Sequence, residues 1–313
     1  MTLAAQPEAV TAPEWQFFDA TVAGVRRLGP SFVRITFTGP GLAGFGLAGD
    51  DQRFKLVLPR DPAGMRRLVD RGSAWYPEYC AMPEELRPDI RTYTVRAARP
   101  ELAEIDVDLV LHGVADGHAG PAARWAAAAV PGDRVVLLGP DRPGRGRMWG
   151  VEWAPPAAAR TLLLAGDETA VPAVCAIVEA LPAAARTVTA LLEVPEAGDV
   201  VDLALPPGTT VRWLPREGAA RGSLLVPAVH AALCELGIAT PSVARAGADY
   251  VDLDLDREPL WEVPDADAAA GFYAWLAGEA AVVKQLRRRL VGDLGVPRGA
   301  VAFMGYWRDG VAG

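Results

Sequence analysis

The chain has 313 residues, a formal net charge of −8 and 51% hydrophobic residues, which is enough apolar material for two domains with separate cores. Its acidic balance argues against a nucleic-acid partner, and the absence of any run of about 18 apolar residues argues against a membrane span. The three cysteines lie far apart with no paired spacing, so the sequence predicts neither disulfides nor an iron–sulfur cluster, and a reducing cytoplasm is the expected compartment.

The first half of the chain has the pattern of a β domain. Residues 1–14 combine acidic residues with prolines and lack a signal-peptide pattern, so we expect a disordered tail. Five short segments then alternate between apolar and polar side chains, namely residues 32–38, 54–58, 91–96, 105–112 and 134–138. Glycine and proline separate them, which favours a small antiparallel β-barrel over residues 15–140. Residues 61–88 have no clear period and are expected to pass over the barrel as a long excursion.

The second half has a different pattern. Residues 141–158 are rich in Gly, Pro and Arg and are expected to form a linker. After them, apolar strands alternate with helices, which predicts a parallel sheet with crossover helices over residues 159–313. The predicted strands are residues 161–165, 188–194, 210–214 and 272–277, and the predicted helices are residues 168–181, 223–236 and 279–294. Residues 237–270 are acidic and poorly patterned, so we place them as an insertion in this domain.

The run Arg91-Thr92-Tyr93-Thr94 in the third predicted strand is the first candidate site. A guanidinium can bind phosphate or carbonyl groups through two parallel hydrogen bonds, and a phenol ring can pack against a flat heterocycle. The Thr94 hydroxyl can donate a hydrogen bond toward N5 of a flavin. The same residue types also suit an ordinary half-exposed barrel strand, because Thr and Tyr are favoured there.

Two turns that contain glycine are candidate phosphate sites in the first domain. The first ends a predicted strand, where a histidine can bond to a phosphate or an adenine. The second opens a short helix whose backbone N–H groups and dipole favour an anion. The residues are His112 and Gly113 in the first turn, and Gly120, Pro121, Ala122 and Ala123 in the second. The alternative interpretation is a solvated turn with a structural histidine.

Two more candidates follow predicted strands of the second domain. A strand that turns sharply into a helix lies at the edge of a parallel sheet where dinucleotides usually bind, although the G-x-G-x-x-G pattern is absent. The residues are Gly166, Asp167, Glu168 and Thr169 after one strand, and Gly278 and Glu279 after another. Asp167 and Thr169 equally suit a helix cap. Gly278 leaves room for a nicotinamide ribose, and Glu279 is expected in the first helical turn.

An aromatic residue near the end of the chain is the last candidate. Trp307 follows Gly305 and Tyr306, and it can either cover a flavin or close the core. Other chemistries lack their motifs, because the three histidines do not have the spacing of metal ligands, and neither a P-loop nor a nucleophile elbow is present.

Taken in chain order, six motifs resemble the siderophore-interacting protein family, which comprises flavin-dependent ferric-siderophore reductases of the ferredoxin–NADP reductase superfamily. The motifs are Arg91-Thr92-Tyr93-Thr94, Leu109-Val110-Leu111-His112-Gly113, Gly120-Pro121-Ala122 with Trp125, Ala165-Gly166-Asp167-Glu168-Thr169-Ala170, Trp275-Leu276-Ala277-Gly278-Glu279 and Gly305-Tyr306-Trp307-Arg308. Each motif is weak alone, but six in one order are specific, and the resemblance covers residues 17–310. It implies an FAD-binding barrel followed by an NAD(P)H-binding α/β domain. The segment 237–270 is longer than in compact members of the family.

The resemblance also implies roles for particular residues. It places Arg91, Tyr93 and Thr94 at the reacting flavin, with Thr92 beside them. The other cofactor-binding residues that it implies are Leu109, His112, Gly113, Gly120, Ala122, Ala123, Gly166, Asp167, Glu168, Thr169, Gly278, Glu279 and Trp307. Lys55 and Arg308 match positions at the open edge of the flavin that attract an anionic siderophore.

The activity implied by the resemblance is FAD-mediated reduction of a ferric siderophore by NAD(P)H, with release of Fe(II). Two alternatives remain open. One is a flavin-dependent reductase that serves a protein acceptor such as ferredoxin, and the other is a non-enzymatic module that binds a siderophore. The choice between NADH and NADPH is also open, because Glu193 can accept ribose hydroxyls, whereas Arg212 and Arg216 can meet a 2′-phosphate.

Overall fold

The computed structural model describes residues 15–47, 49–114, 117–141, 150–183, 186–238, 253–256, 258–264 and 271–310. The chain forms two sheets, and the first is antiparallel and the second mainly parallel. This architecture confirms the predicted antiparallel β domain followed by an α/β domain. The predicted tail at residues 1–14 and most of the predicted insertion at residues 237–270 lie outside the described residues. None of the helices in the described part of the chain is long and apolar enough to cross a membrane.

The first sheet curls into a half-barrel of seven strands. They are β1 (Trp15–Arg27), β2 (Phe32–Thr38), β3 (Arg53–Leu58), β4 (Asp89–Thr94), β5 (Ala97–Arg99), β6 (Glu104–Val110) and β7 (Arg134–Pro140). Their spatial order is β4-β3-β7-β1-β2-β6-β5, so β4 and β5 are the two edge strands. Alternate residues such as Val33, Ile35 and Phe37 point into the core, as the period of the sequence predicts.

Three features of this half differ from the sequence prediction. The central strand β1 was not predicted, because its inward positions include the small residue Ala20 and its alternation is weak. The third strand covers Asp89–Thr94 rather than residues 91–96. The excursion contains two helices, α1 (Pro62–Arg71) and α2 (Trp75–Ala81). Asp61 caps α1 by accepting from the backbone N–H of Ala63 and Gly64, which is a start signal that the sequence carried.

The second sheet has six strands in the order β10-β9-β8-β12-β13-β11. They are β8 (Thr161–Gly166), β9 (Thr187–Val194), β10 (Thr209–Pro215), β11 (Trp261–Glu262), β12 (Phe272–Glu279) and β13 (Val301–Trp307). Five of them are parallel, and β11 is antiparallel to β13. The strand order reverses between β8 and β12, which is the place where ligands bind in open parallel sheets.

Within the described residues, four further α-helices pack on the two sheets. They are α3 (Pro121–Ala128) in the first half, and α4 (Val171–Ala180), α5 (Leu225–Glu235) and α6 (Ala280–Arg287) in the second. Helix α6 continues as a π-helix over Arg288–Asp293. Helix α4 begins three residues later than predicted because Thr169 donates from its backbone N–H and its hydroxyl to Asp167, which forms a turn before the helix. Strands β11 and β13 were not predicted either.

The two sheets share an apolar contact. Phe32 and Val110 of the half-barrel are buried in the same cluster as Ala159 and Val171 of the α/β half. Polar contacts add to it, since the backbone N–H of Ser31 donates to Asp199 over 2.8 Å. The contact fixes the edge strand β4 beside the carboxyl ends of the parallel strands.

We predict that Gly278→Ala lowers stability. Gly278 has a φ of +149°, and a Cβ placed there would lie 2.8 Å from Cγ and Oδ2 of Asp167. The expected loss in the free energy of unfolding is about 1–3 kcal/mol, measured from the shift of the denaturant midpoint. The control is Gly271→Ala, one residue before β12, where an added Cβ meets nothing within 4 Å. Equal midpoints for the two variants would contradict the prediction.

Candidate functional site

A cleft of about 510 Å³ lies between the half-barrel and the parallel sheet, and we call it the central cleft. It brings together many of the residues that the sequence singled out: Lys55, Arg91, Thr92, Tyr93, Thr94, His112, Thr169, Trp307 and Arg308. These residues come from strands β3 and β4 and the end of β6 in the first sheet, and from the ends of β8 and β13 in the second. The cleft therefore joins the barrel motif to the C-terminal motif.

Side chains from both faces of the edge strand β4 line the central cleft. Its register with β3 places Lys55 opposite Thr92 and Arg53 opposite Thr94. Directly opposite residues of an antiparallel pair share a face, and Nζ of Lys55 donates to Oγ1 of Thr92 over 2.7 Å. Tyr93 lies on the other face and packs against the barrel core.

Positive charge gathers in the central cleft. Arg308 is paired with Asp256 over 2.5 Å, whereas Lys55 and Arg91 have no carboxylate within ion-pair distance among the described residues. Burial, together with the charge of Arg53, lowers the pKa of Lys55. An anionic ligand would restore the favourable environment for these cations.

The Tyr93 hydroxyl stays protonated in this setting. Burial raises the pKa of Tyr93 to about 12, and the charge of Arg91 opposes that rise only in part. Tyr93 therefore offers a neutral phenol ring rather than a second anion, which suits packing against a flat heterocycle.

The carboxylate of Asp167 connects three strand ends of the parallel sheet. Its Oδ2 accepts from the backbone N–H of Glu279 over 2.7 Å and from Nε1 of Trp307 over 2.9 Å. Its Oδ1 accepts from the backbone N–H and the hydroxyl of Thr169. Burial, followed by the charge of Glu168, raises the pKa of Asp167 to about 6, while these donors oppose the rise. The turn after β8, the start of α6 and the end of β13 are thereby held together.

Trp307 contacts two other side chains. The ring centroid of His112 lies 5.0 Å from the ring centroid of Trp307, and the guanidinium of Arg221 lies 4.8 Å from it. Burial, aided by the charges of Arg221 and Arg216, lowers the pKa of His112 even though Glu168 opposes this shift. His112 is therefore neutral near pH 7. Its Nε2 is buried and has no hydrogen-bond partner within the described ranges.

The turn before α3 has the features of an anion site at a helix start. No side chain caps the helix at Gly120, and a Cβ there would meet nothing within 4 Å. Position 113 requires glycine, because its φ is +66° and a Cβ there would lie 2.8 Å from the backbone carbonyl carbon of His118. The side chains of Ala122 and Ala123 are buried, so these two residues can offer only backbone N–H groups to a ligand.

Several predicted residues have other roles in the structure. The side chain of Leu109 is fully buried in the barrel core on the same face as Val107, so only its backbone is left to meet a cofactor, and that contact stays a prediction. Glu168 is also fully buried, and both of its oxygens bind Arg216, at 2.7 and 3.0 Å. Burial tends to raise the pKa of Glu168, but the bonds and charge of Arg216 outweigh it and lower that pKa. Glu168 therefore positions Arg216, and a contact of Glu168 with a nucleotide stays a prediction.

The two glycines of the strand ends and Glu279 lie at the rim of the switch point. A Cβ on Gly166 would lie 2.4 Å from Cβ of Ala170, so this glycine permits a close turn. Glu279 is the N-cap of α6 rather than a residue of its first turn, and it accepts from the backbone N–H of Ala281 and Val282. A direct contact of Gly166, Gly278 or Glu279 with a nucleotide stays a prediction.

Several residues that line the central cleft were not singled out from the sequence, among them Arg53, Asp108 and Trp261. The guanidinium of Arg53 lies 4.4 Å from the ring centroid of Trp261, and that ring also stacks on Tyr306, with the two ring centroids 5.8 Å apart. The alternation of β3 gave a signal for Arg53, which is two residues from Lys55. Nothing local marked Trp261, because its place depends on the long-range pairing of β11 with β13.

Both halves of the chain match family models of siderophore-interacting proteins. A family model described as a siderophore-interacting FAD-binding domain matches residues 21–144, and one described as siderophore-interacting protein matches residues 159–310. An uncharacterized protein of Mycobacterium tuberculosis is 35% identical over 92% of this chain and 89% of its own length. Ferric vibriobactin reductase ViuB of Vibrio cholerae is 26% identical over 90% of this chain and 85% of its own length. A siderophore utilization protein from T. fusca has a similar crystal structure, with a TM-score of 0.67, 28% identity and 97% coverage of both chains.

We predict that Asp167→Asn weakens the junction of the three strand ends. The carboxamide replaces one acceptor oxygen by an N–H donor, so at least one buried N–H group loses its partner. The expected loss in the free energy of unfolding is about 1–3 kcal/mol, measured by denaturant titration. Asp293→Asn, at an exposed carboxylate paired with Arg289, is the control and should stay within about 0.5 kcal/mol of the parent. A stable Asp167→Asn variant with unchanged indole fluorescence would refute this role.

Proposed function

We propose that this chain, which belongs to the siderophore-interacting protein family, binds FAD in the central cleft and uses NAD(P)H to reduce Fe(III) held by a siderophore. The observation that carries the proposal is the meeting of three groups in one cleft. They are the Arg91–Thr94 segment, the switch-point residues Thr169 and Trp307, and the cations Lys55 and Arg308. Each group suits one of the three reactants.

The polar groups of the cleft fit FAD. Arg91 offers a guanidinium without a carboxylate partner among the described residues, and Thr94 offers a hydroxyl on a nearly buried strand end. Buried polar atoms are almost always hydrogen-bonded, so the unpartnered Nε2 of His112 is a further place for a ligand atom. We infer that Arg91, Tyr93 and Thr94 hold the flavin, and that His112 and the start of α3 hold the phosphates.

FAD, when bound, supplies the conversion of a two-electron hydride into single electrons that Fe(III) can accept. The protein supplies position, charge and exclusion of water. Arg91 places positive charge where negative charge develops, and Tyr93 remains a neutral phenol against the barrel core. The cleft walls formed by Trp307 and Tyr306 limit access of water.

The nicotinamide nucleotide is expected at the carboxyl ends of β8 and β12, where the strand order reverses. Asp167 holds the two turns at this edge in a fixed relation through its bonds to Thr169 and to the backbone of Glu279. A rigid edge keeps the hydride donor at one distance from the cleft, which favours transfer.

The siderophore is expected at the mouth of the cleft beside Lys55 and Arg308. The net charge of the protein is −8, so a local positive patch has to attract an anionic chelate. Oxygen-rich chelators bind Fe(II) far less tightly than Fe(III), so reduction releases the metal from its carrier.

A stopped-flow experiment tests this function. The purified flavoprotein is mixed with NADH or NADPH in parallel, and a ferric catecholate or hydroxamate is added after the cofactor is reduced. The proposal expects bleaching of the flavin bands at about 370 and about 450 nm, followed by their return as Fe(II) appears. A protein without these bands would instead be a binding module. Faster turnover with a ferredoxin than with any ferric chelate would favour a reductase that serves a protein acceptor.

We predict that Arg91→Ala weakens the retention of FAD. The change removes a cation that has no carboxylate partner in the described part of the chain, and a lost charge-assisted contact is worth about 1.5–3 kcal/mol, or roughly ten-fold or more in Kd. The measurement is the FAD-to-protein ratio after gel filtration, together with the Kd of the apoprotein for FAD. Arg134→Ala, at an exposed position of β7, is the control. Full flavin content and full activity in Arg91→Ala would show the assignment to be wrong.

We predict that Lys55→Gln and Arg308→Gln each lower kcat/KM for an anionic ferric siderophore and reduce its dependence on salt. Steering by charges at the mouth of the cleft is screened within about 10 Å at 0.1 M ionic strength. The measurement is kcat/KM from low salt to about 0.3 M salt. Reduction of the flavin by the nicotinamide nucleotide serves as the internal control and should change little in Lys55→Gln. A parent rate that is flat across this range would remove the steering hypothesis.

A further inference from the structure

A second pocket of about 320 Å³ lies beside the central cleft at the carboxyl ends of the parallel strands. We call it the arginine pocket, because Arg27 of β1 and Arg216 and Arg221 after β10 line it. His112 lines both spaces. The adenosine part of a dinucleotide binds at this edge of a doubly wound sheet, so the arginine pocket is the place for the end of the nucleotide that is remote from the nicotinamide.

The carboxylates at this edge are already bound within the protein. An acidic side chain here usually accepts the ribose hydroxyls of NADH and disfavours a 2′-phosphate. Glu193 does not fill that role, because it is fully buried and accepts from the backbone N–H of Gly222 and Leu225, each over 2.7 Å. The side chain of Glu196 is exposed and accepts from the backbone N–H of Asp199 in a capping box, which uses part of its acceptor capacity. Glu193 therefore serves the fold and not a ribose.

The three arginines of the pocket differ in how many of their N–H donors remain available to a ligand. Arg216 is neutralised by Glu168 at 2.7 Å and faces Glu193 at 3.4 Å. Arg27 donates to the carbonyl of Pro30 and has no carboxylate within ion-pair distance among the described residues. Arg221 rests on Trp307 and is 3.3 Å from an oxygen of Asp309, a carboxylate whose side chain is 68% exposed. Arg27 and Arg221 therefore keep donors that an anion can use.

We propose that Arg27 and Arg221 bind the 2′-phosphate of NADPH, so that this chain uses NADPH in preference to NADH. The inference rests on the proposed function and names the form of nucleotide that the function takes. A phosphate group accepts two parallel hydrogen bonds from a guanidinium, which binds it more tightly than a ribose hydroxyl. Arg27 belongs to the half-barrel and Arg221 to the α/β half, so the phosphate would connect the two halves.

A contact of Arg221 gives the proposal a second readout. The guanidinium lies over Trp307, whose Nε1 is bonded to Asp167. A phosphate that draws Arg221 toward itself changes the charge beside the indole ring. Binding of the 2′-phosphate is therefore expected to change indole fluorescence, and this change should be lost in Trp307→Phe.

Calorimetry with two adenosine fragments tests the proposal without any redox step. The probes are adenosine 2′,5′-bisphosphate and 5′-AMP, which differ only by the 2′-phosphate, and the protein is the full chain. We expect the bisphosphate to bind roughly ten-fold or more tightly. Arg27→Ala and Arg221→Ala should each remove most of that difference and leave the affinity for 5′-AMP within about two-fold. Arg212→Ala, at a β10 arginine paired with Glu235 outside the pocket, is the matched control.

The outcomes separate this inference from the proposed function. Equal affinity of the parent protein for the two probes overturns the 2′-phosphate site, and so does an unchanged difference in both arginine variants. If the bisphosphate is preferred and the arginines are required, the site stands even where no ferric chelate is reduced. If NADH and NADPH reduce the flavin equally well and the probes bind alike, the reductase stands and the site falls. Arg221→Lys keeps the charge and should retain part of the preference if the variant to Ala does not fold.

Discussion

The structure depends on one buried carboxylate, that of Asp167. It collects four hydrogen bonds, from Thr169, Glu279 and Trp307, and so joins the turns after β8, β12 and β13. These turns lie on both sides of the switch point of the parallel sheet. The junction is close-packed, because Gly166 and Gly278 leave no room for a Cβ beside Ala170 or Asp167. The edge where a dinucleotide is expected is therefore rigid before any ligand arrives.

The hydrogen bonds of this junction also position side chains that line both binding spaces. The bond to Asp167 fixes the indole of Trp307, and the indole in turn contacts His112 and Arg221. Trp307 lines the central cleft, Arg221 lines the arginine pocket and His112 lines both. The contacts of these three side chains thus join the linings of the two spaces.

The sequence predicted the order of the two domains and the strand–helix alternation well, because apolar periodicity is a local signal. It predicted part of the lining of the central cleft, since Arg91, Thr94 and Trp307 lie in compact motifs. It did not predict β1, whose small residue Ala20 weakens the pattern, or Trp261, whose position follows from pairing with β13. Local patterns carry no information about such partners.

Glu193 shows that a local pattern also cannot tell whether a carboxylate is available to a ligand. Its position at the end of β9 marked it as a ribose acceptor, yet the start of α5 takes up its oxygens. Which carboxylate is free depends on contacts between residues that are about thirty positions apart, such as Glu193 with Gly222. The positions of acids and bases could be read from the sequence, but their availability could not.

Unpaired positive charge gives the cleft its chemical character. The pKa of Lys55 is lowered because burial and the neighbouring Arg53 disfavour its charged form. Arg91 lies in the same cleft and has no carboxylate within ion-pair distance among the described residues. Removing an unpaired charge from water is unfavourable by itself and becomes favourable beside an anion. A ligand that binds only the folded state stabilises that state. Placing these cations in one cleft lowers the free energy of unfolding, and binding of an anionic cofactor or an anionic chelate would raise it again.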